Sequence, residues 1–325
     1  MWLLDFSVKY YDYRPFKVEF ANKLLGNLSK FLGWLANKVL PIIFKISDGK
    51  KKYYERLKST KSSSSIVCLT SFPRRISTVP LVLECLLRQT MPVQEVVLFL
   101  SELQFPNKEK DLPLNLLLFK DIFLKIVWVK EDVRSHKKYW YALRSFPDRS
   151  IITLDDDIIY SSKAIEKLEA LSSLYHGCVP CLYAHKILWD ANGSLKPYLT
   201  WLKNATLEVN QPIENGFFGS GGGTLFPVGS LKDADQELST IMEVCPLADD
   251  IWLNAFVRKN GYRIVTPKFR NSVLTWSIND NSTLSSVNVG HNQNDSQLVS
   301  VSSFMKSMFG VTPFEMNFFA NIKSV

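Results

Sequence analysis

Residues 150–161 read SIITLDDDIIYS. The apolar run Ile151-Ile152-Thr153-Leu154 meets three carboxylates, and the chain returns at once to Ile158-Ile159-Tyr160. Two unit charges ~6 Å apart repel by about 3 kcal/mol at an effective dielectric of ~20, so Asp155, Asp156 and Asp157 are disfavoured at the end of a core strand unless something relieves them. A divalent cation would. In an extended segment Asp155 and Asp157 point to one side and Asp156 to the other. Such a pair, completed by a ligand's oxygens, suits Mg²⁺ or Mn²⁺, which favour oxygen donors and often finish their octahedron with phosphate.

The stretch sits in a regular alternation. Ile66–Thr70, Glu95–Leu100, Phe123–Val129 and Ile151–Leu154 are apolar runs of strand length. Val79–Gln89, Tyr139–Ser145 and Ala164–Tyr175 carry helical spacing between and after them. This pattern predicts an α/β fold, with a mainly parallel sheet and helices on both faces. Such sheets bind ligands at the carboxyl ends of their strands. Three segments follow those ends and should meet there: Ser71-Phe-Pro-Arg-Arg75, the loop from Glu131 to Lys138, and the aspartates. Arg74, Arg75, Lys137 and Lys138 then add positive charge beside carboxylates and a metal, which points to a diphosphate. Further on, Gly221, Gly222 and Gly223 close a glycine-rich loop before Thr224-Leu-Phe-Pro227, where missing side chains would let an acceptor approach the backbone. Trp189-Asp-Ala-Asn-Gly193 reads as a hairpin turn, and Trp201, Trp252 and Trp276 read as core.

The chain has 325 residues, 46% hydrophobic and 22% charged, a globular balance that suits one large domain with additions. Net charge is +8, which favours an anionic partner. The basic residues gather near the N-terminus and in two loops rather than over a face, which argues against nucleic acid. Five cysteines, an odd number, suggest a reduced cytoplasmic protein. Cys178-Val-Pro-Cys181 beside His176 is weak as a zinc motif without a second ligand pair.

In order, the strand with TSFPRR, the paired lysines, ITLDDDIIY, GGGTLFP and ADDIWLN resemble the GT-A glycosyltransferases, especially bacterial surface-polysaccharide enzymes, over roughly residues 66–266. The resemblance implies a Rossmann-like GT-A domain and a nucleotide diphosphate sugar donor. It implies a saccharide or lipid-linked acceptor. The cation would bridge both phosphates, with Asp157 and Asp155 as metal ligands and Asp156 beside the diphosphate. Thr70, Ser71, Arg74 and Arg75 would line the nucleotide. Asp249 and Asp250 match the acidic pair that inverting members place near the acceptor, with Asp250 as the base that takes the acceptor proton. His291 matches a late histidine that some relatives place on the metal. A sugar nucleotidyltransferase is the alternative enzyme, although Ser71–Arg75 lacks the glycine-rich phosphate loop of that class. A noncatalytic polysaccharide- or membrane-binding scaffold has no need of the acids.

At the N-terminus, KLLGNLSKFLGWLANKVL (Lys23–Leu40) predicts an amphipathic helix with lysines on one face and leucines on the other, ended by Pro41. It could pack on the domain or lie on an anionic membrane surface at the inner face of the cytoplasmic membrane. No run reaches the ~18 apolar residues of a membrane span, and Met1–Leu4 before Asp5 is too short for a signal peptide. Asp48–Lys52 and Lys58–Ser65 read as a solvated basic linker. The expected organisation is a helical extension over 1–60, a catalytic domain over 61–290 and a covering tail over 291–325.

Overall fold

The computed structural model describes residues 19–203, 209–267, 272–275 and 293–322. In chain order the strands are β1 (Ile66–Thr70), β2 (Val96–Ser101), β3 (Leu124–Val129), β4 (Ile151–Thr153), β5 (Ile158–Tyr160), β6 (Cys178–Pro180), β7 (Ala184–Lys186), β8 (Leu202–Lys203), β9 (Gly216–Phe218), β10 (Thr224–Phe226), β11 (Arg263–Val265) and β12 (Ser272–Thr275). Five of them form the central sheet in the order β10-β4-β1-β2-β3. β1 to β4 run parallel, in the register Val67↔Val96, Ile66↔Ile151 and Val96↔Leu124.

The period of two in β1 decides which face each side chain fills. Ile66 and Cys68 join a core with Tyr139 and Ala142 of the Lys137–Ser145 helix and with Trp252 and Phe256 of the Asp249–Lys259 helix. Val67 and Leu69 join the opposite core with Val82, Leu83 and Leu86 of the Val79–Leu87 helix and Leu168 of the Ala164–Leu174 helix. The chain therefore has the mainly parallel α/β sheet, covered by helices on both faces, that its sequence predicts. Each fully buried Leu or Val contributes about 1.5–3 kcal/mol relative to exposure. Trp201 and Trp252 are buried, as expected of core residues. Trp276 lies outside the described residues.

β10 is antiparallel to β4, with Thr224 opposite Thr153. Its first residue therefore stands beside the last of β4, and the glycine-rich loop that precedes it arrives at the carboxyl edge of the sheet. The hairpin at Trp189–Gly193 forms as expected: Trp189 bridges Leu195, and Gly193 takes the positive φ of +81°.

Three local expectations give way. Pro41 does not end the first helix, which runs Glu19–Ile46 with the proline inside. Proline removes one backbone donor, but the turn around it is anchored. Leu40 and Phe44 are buried, and the Arg88 guanidinium stacks 4.5 Å from the Phe44 ring. The first part of the expected basic linker is also a helix, Gly49–Ser59, capped by Asp48 Oδ1, which accepts from the Lys51 N–H at 2.8 Å. Its Tyr53 enters the sheet-domain core and donates to the Val93 carbonyl at 2.7 Å. Finally, Asp156 and Asp157 occupy a turn, not an extended strand, and β5 beyond them leaves the central sheet to pair with β12. The strand-like alternation expected of the three aspartates therefore does not apply.

At the other end, the Gln293–Phe309 helix packs Leu298, Val301 and Met305 into the first core.

Candidate active site

The segments after β1, β3 and β4 and before β10 enclose a cavity of about 710 Å³, which the N-terminus of the Asp249–Lys259 helix also lines. The turn at Asp156-Asp157 gives the three aspartates separate surroundings. Asp156 faces inward: Ser71 Oγ donates to its Oδ2 at 2.5 Å and Arg75 Nη1 to its Oδ1 at 3.1 Å. Burial raises its pKa, against the opposing Arg75 charge and Ser71 hydrogen bond. Arg75 also reaches Asp157 Oδ2 at 3.0 Å. Burial and then the Asp155 charge push Asp157 up to about 7, with Arg75 opposing. Asp155 turns the other way and accepts from Lys138 Nζ at 2.9 Å. Its backbone N–H is held by the Tyr160 hydroxyl at 2.8 Å, and that hydroxyl donates to the Gly221 carbonyl.

The glycines make room for the protein's own groups. A Cβ on Gly221 would stand 1.8 Å from Asp155 Oδ2, one on Gly222 would stand 2.6 Å from Tyr183, and one on Gly223 would stand 2.8 Å from Leu182. Gly223 also has a φ of +102°, which L side chains rarely adopt. Gly221 is therefore the floor against which the Asp155 carboxylate lies. The missing side chains thus make room first for Asp155, Tyr183 and Leu182, while Gly221 and Gly222 still line the cavity.

The second acidic pair opens its helix, and Asp249 is not the N-cap; Ala248 is. Asp249 Oδ2 accepts from Ser220 Oγ at 2.7 Å and from Lys138 Nζ at 3.1 Å. Burial alone would raise its pKa, but the Lys138 charge, helped by His136 and Ser220, holds it below the usual carboxylate value. Asp250 Oδ1 accepts from the Ser220 backbone N–H at 2.6 Å. Burial and the neighbouring Asp249 charge push it up to about 7. Two adjacent carboxyls are thus driven apart, one firmly ionised and one poised near neutrality, the arrangement that suits a proton acceptor.

Lys138 joins the two acidic groups. It is 2% exposed, lies between Asp155 and Asp249, and its pKa is raised because their charges outweigh burial. Lys137 is equally buried and pairs with Asp132 instead.

Among residues expected at the site, Thr70, Ser71, Arg75, Lys137, Lys138, the three aspartates, Gly221, Gly222, Asp249 and Asp250 line the cavity. Thr70 Oγ1 donates to the Phe99 carbonyl at 2.9 Å. Arg74 is exposed, and neither it nor Gly223 is among the lining residues. His291 lies outside the described residues.

Several lining groups escaped the sequence reading. Ser220 holds both aspartates of the second pair, and a serine among glycines gave no signal of that. Tyr183 and Tyr198 form an aromatic wall. Gln104 donates to Asp132 at 2.7 Å, linking the loops after β2 and β3. Asn294 arrives from the C-terminal helix, and among the described residues its buried Oδ1 has no partner.

The donor set fits a hard cation completed by substrate. Among the described residues no group of three or more His, Cys, Asp or Glu side chains is placed to hold a metal. All three aspartates line the cavity; Asp156 is the most committed, held by both Ser71 and Arg75, whereas Asp155 and Asp157 each have one cationic side-chain partner, Lys138 and Arg75. One or two carboxylates plus phosphate oxygens and water is how Mg²⁺ is usually held. Zinc at Cys178 and Cys181 is disfavoured: both thiols are buried in or beside β6, and burial pushes both up, away from the thiolate that zinc needs.

No family model matches the chain, and no curated protein matches it. Solved structures do. S. aureus TarS 1–349 in complex with UDP aligns at 13% identity and a TM-score of 0.45, over 77% of this chain and 73% of that one. The mannosyltransferase PcManGT from Pyrobaculum calidifontis, in complex with GDP-Man and Mn²⁺, aligns at 12% and 0.49, over 88% and 77%. A 4-diphosphocytidyl-2C-methyl-D-erythritol synthase aligns at 13% and 0.40, over 67% and 95%. At such identities the likeness bears on chain course only.

Proposed function

We propose that the chain is a metal-dependent, inverting glycosyltransferase that moves a sugar from a nucleoside diphosphate donor to a saccharide or lipid-linked acceptor in surface-polysaccharide synthesis. The observation that carries this is one cavity with two acidic groups of different character. Asp155 and Asp157 offer hard oxygens, while Asp250, at about 7, can take a proton.

Asp155 and Asp157 would hold Mg²⁺ or Mn²⁺, which when bound stabilises the charge on the departing diphosphate. Arg75 and Lys137 both line the cavity and would add positive charge for the phosphates. Ser220 and Lys138 fix the orientation of Asp249 and Asp250. Asp250 accepts the acceptor hydroxyl proton as that oxygen attacks the anomeric carbon on the face opposite the diphosphate, which inverts the configuration. Tyr183 and Tyr198 offer ring surface to a sugar. The test is a panel of nucleotide sugars with Mn²⁺ or Mg²⁺, scored for nucleotide release and, with acceptor, for the anomeric configuration of the product. No release from any donor would sink the reading.

The domain division at 61–290 is proposed on the same grounds, with the Gly49–Ser59 and Gln293–Phe309 helices packed onto that unit. No helix among the described residues is long and apolar enough to cross a membrane. The first helix nonetheless divides its labour. Leu40 and Phe44 dock on the domain, whereas Leu24, Leu28, Phe31 and Trp34 are 45–62% exposed. With Lys38 and Lys45 exposed beside them, this segment suits an anionic lipid surface, each basic residue near it contributing about 1 kcal/mol. Leu28→Glu with Phe31→Glu should abolish co-sedimentation with anionic liposomes and spare donor hydrolysis. Unchanged sedimentation would remove the membrane role.

A further inference from the structure

A second cavity, of about 350 Å³, lies away from the acidic site. That volume is on the order of a small ligand pocket. Arg258 lines it from the same helix as Asp250, eight residues further on and thus ~12 Å along the helix axis. The Arg258 side chain is unusual. It is 4% exposed, yet among the described residues no carboxylate stands within ion-pair distance. Its Nε and Nη1 donate to the backbone carbonyls of Pro313 and Glu214, and no described residue accepts from Nη2. The rings of Phe318 and Phe319 lie 5.4 and 4.8 Å from its Cζ. Burial brings its pKa down to about 9, with Glu214 only partly compensating.

A buried cation without a counter-ion is costly, and nothing in the acidic site uses this one. Glu214 also lines the cavity, but its carboxylate is held by Arg263 at 2.8 Å and compensates Arg258 only in part. Lys186 adds a second positive charge to the lining, and Asn215 and Asn317 add amides. Trp189 gives a fixed aromatic wall, its Nε1 donating to the Phe314 carbonyl at 2.9 Å.

We infer that this cavity is a binding site for an acidic sugar unit, with Arg258 and Lys186 taking its carboxylate or phosphate and Trp189 covering the ring. Two cations select the anion, the amides and indole select a polyol over a bare ion, and the volume admits one ring. The inference does not depend on the transferase reading, since it concerns binding alone.

The experiment is calorimetric titration of the full chain with glucuronate, glucose 1-phosphate, glucose and inorganic phosphate. The two acidic sugars should bind at least about tenfold more tightly than glucose, which corresponds to 1.4 kcal/mol. Their relative order assigns carboxylate or phosphate. Inorganic phosphate binding as tightly as glucose 1-phosphate would overturn the saccharide assignment. Lys186→Gln leaves the Pro313 and Glu214 anchors intact and should weaken the acidic sugars several-fold with an unchanged melting temperature. Trp189→Phe should weaken them as well. Binding of the acidic sugars that neither variant alters lies elsewhere, and would refute the site. Arg258→Lys keeps the charge but loses the fork, and should abolish binding if the protein remains folded. Asp250→Asn should leave this titration unchanged whether or not the chain transfers sugars.

Discussion

Replacing Lys138 by methionine removes the ammonium while keeping most of the apolar stem. The ammonium sits 2.9 Å from Asp155 Oδ1 and 3.1 Å from Asp249 Oδ2. At ~3 Å and an effective dielectric of ~20 each contact is worth about 5 kcal/mol before desolvation. Asp155 is 42% exposed, so its share is reduced to that of a surface pair, at most about 1 kcal/mol. Asp249 is buried, and stripping a buried charge of its partner costs about 3–5 kcal/mol, a large fraction of the roughly 5–15 that hold a domain together. The loss should depend on pH. Asp249 has a lowered pKa in the wild type, so its support is present above the ordinary carboxylate value, ~4, and fades as pH falls through and below that. The raised Lys138 pKa gives support that is complete below the ordinary lysine value, so Lys138 itself adds no slope between pH 4 and 8. In Lys138→Met nothing outweighs burial, Asp249 rises above the ordinary value, and acid can neutralise it. The stability gap should therefore be about 3–5 kcal/mol at pH 8 and shrink toward pH 5. Urea unfolding at the two pH values reads both numbers. A gap below about 1 kcal/mol at pH 8, or one that ignores pH, would show that Lys138 does not balance Asp249.

Asp250→Asn keeps the Ser220 N–H contact but cannot take a proton; turnover should fall by roughly 10²-fold or more with donor affinity unchanged. In the wild type, protonation silences the base, so the rate should climb as pH rises toward about 7, and the variant should lose that limb; a pH profile shared by both proteins argues for another base. Asp157→Ala should remove Mn²⁺-dependent binding of a nucleoside diphosphate without unfolding the chain, and equal calorimetric affinity in both proteins would rule it out as a ligand. Gly221→Ala forces the Asp155 carboxylate off its floor, because the new Cβ would stand 1.8 Å from Oδ2. The obstacle is a movable side-chain end, so the fold should survive while nucleotide affinity in metal falls by about tenfold or more, 1.4 kcal/mol; wild-type affinity would mean that Asp155 has no fixed place to lose.

The frame was legible because buried parallel strands must be near-continuous apolar runs. β1 to β4 announce themselves this way, and the rule that loops gather at carboxyl ends then brings Ser71–Arg75, Lys137–Lys138 and Asp155–Asp157 together. Side-chain direction was not legible. Three consecutive acids look like a strand end, whereas the chain turns at Asp156, and only the tertiary partners Ser71 and Arg75 decide which carboxyl is spent. Lys137 and Lys138 open a helix, where lysine is ordinarily solvated; their burial depends on Asp132, Asp155 and Asp249, which lie on other segments. Pro41 reads as a stop because the local rule is strong, but Leu40 and Phe44 find tertiary contacts that outweigh one lost hydrogen bond. Ser220 and Asn294 carry no local signature, since a hydroxyl or an amide becomes functional only through what it faces.

The charges lining the acidic cavity bear on why three aspartates stand at the end of a core strand. Six carboxylates line it, those of Asp132, Asp155, Asp156, Asp157, Asp249 and Asp250, against four cations, Arg75, Arg134, Lys137 and Lys138. Three of the cations are already committed to carboxylates: Arg75 to Asp156 and Asp157, Lys137 to Asp132, and Lys138 to Asp249 and Asp155. The cavity is thus acidic on balance, and the strain shows in Asp157 and Asp250, both driven up to about 7. A diphosphate, itself an anion, would be repelled from such a surface. On the proposed function it would enter with a divalent cation that answers both charges at once, and the repulsion that makes the aspartates costly would become the affinity that holds the cation. A further consequence is order: nucleotide affinity should be small without metal and grow with it, whereas a cavity built to bind phosphate by basic residues alone would take nucleotide equally well in chelator. Calorimetry of a nucleoside diphosphate with Mn²⁺ and with chelator separates the two.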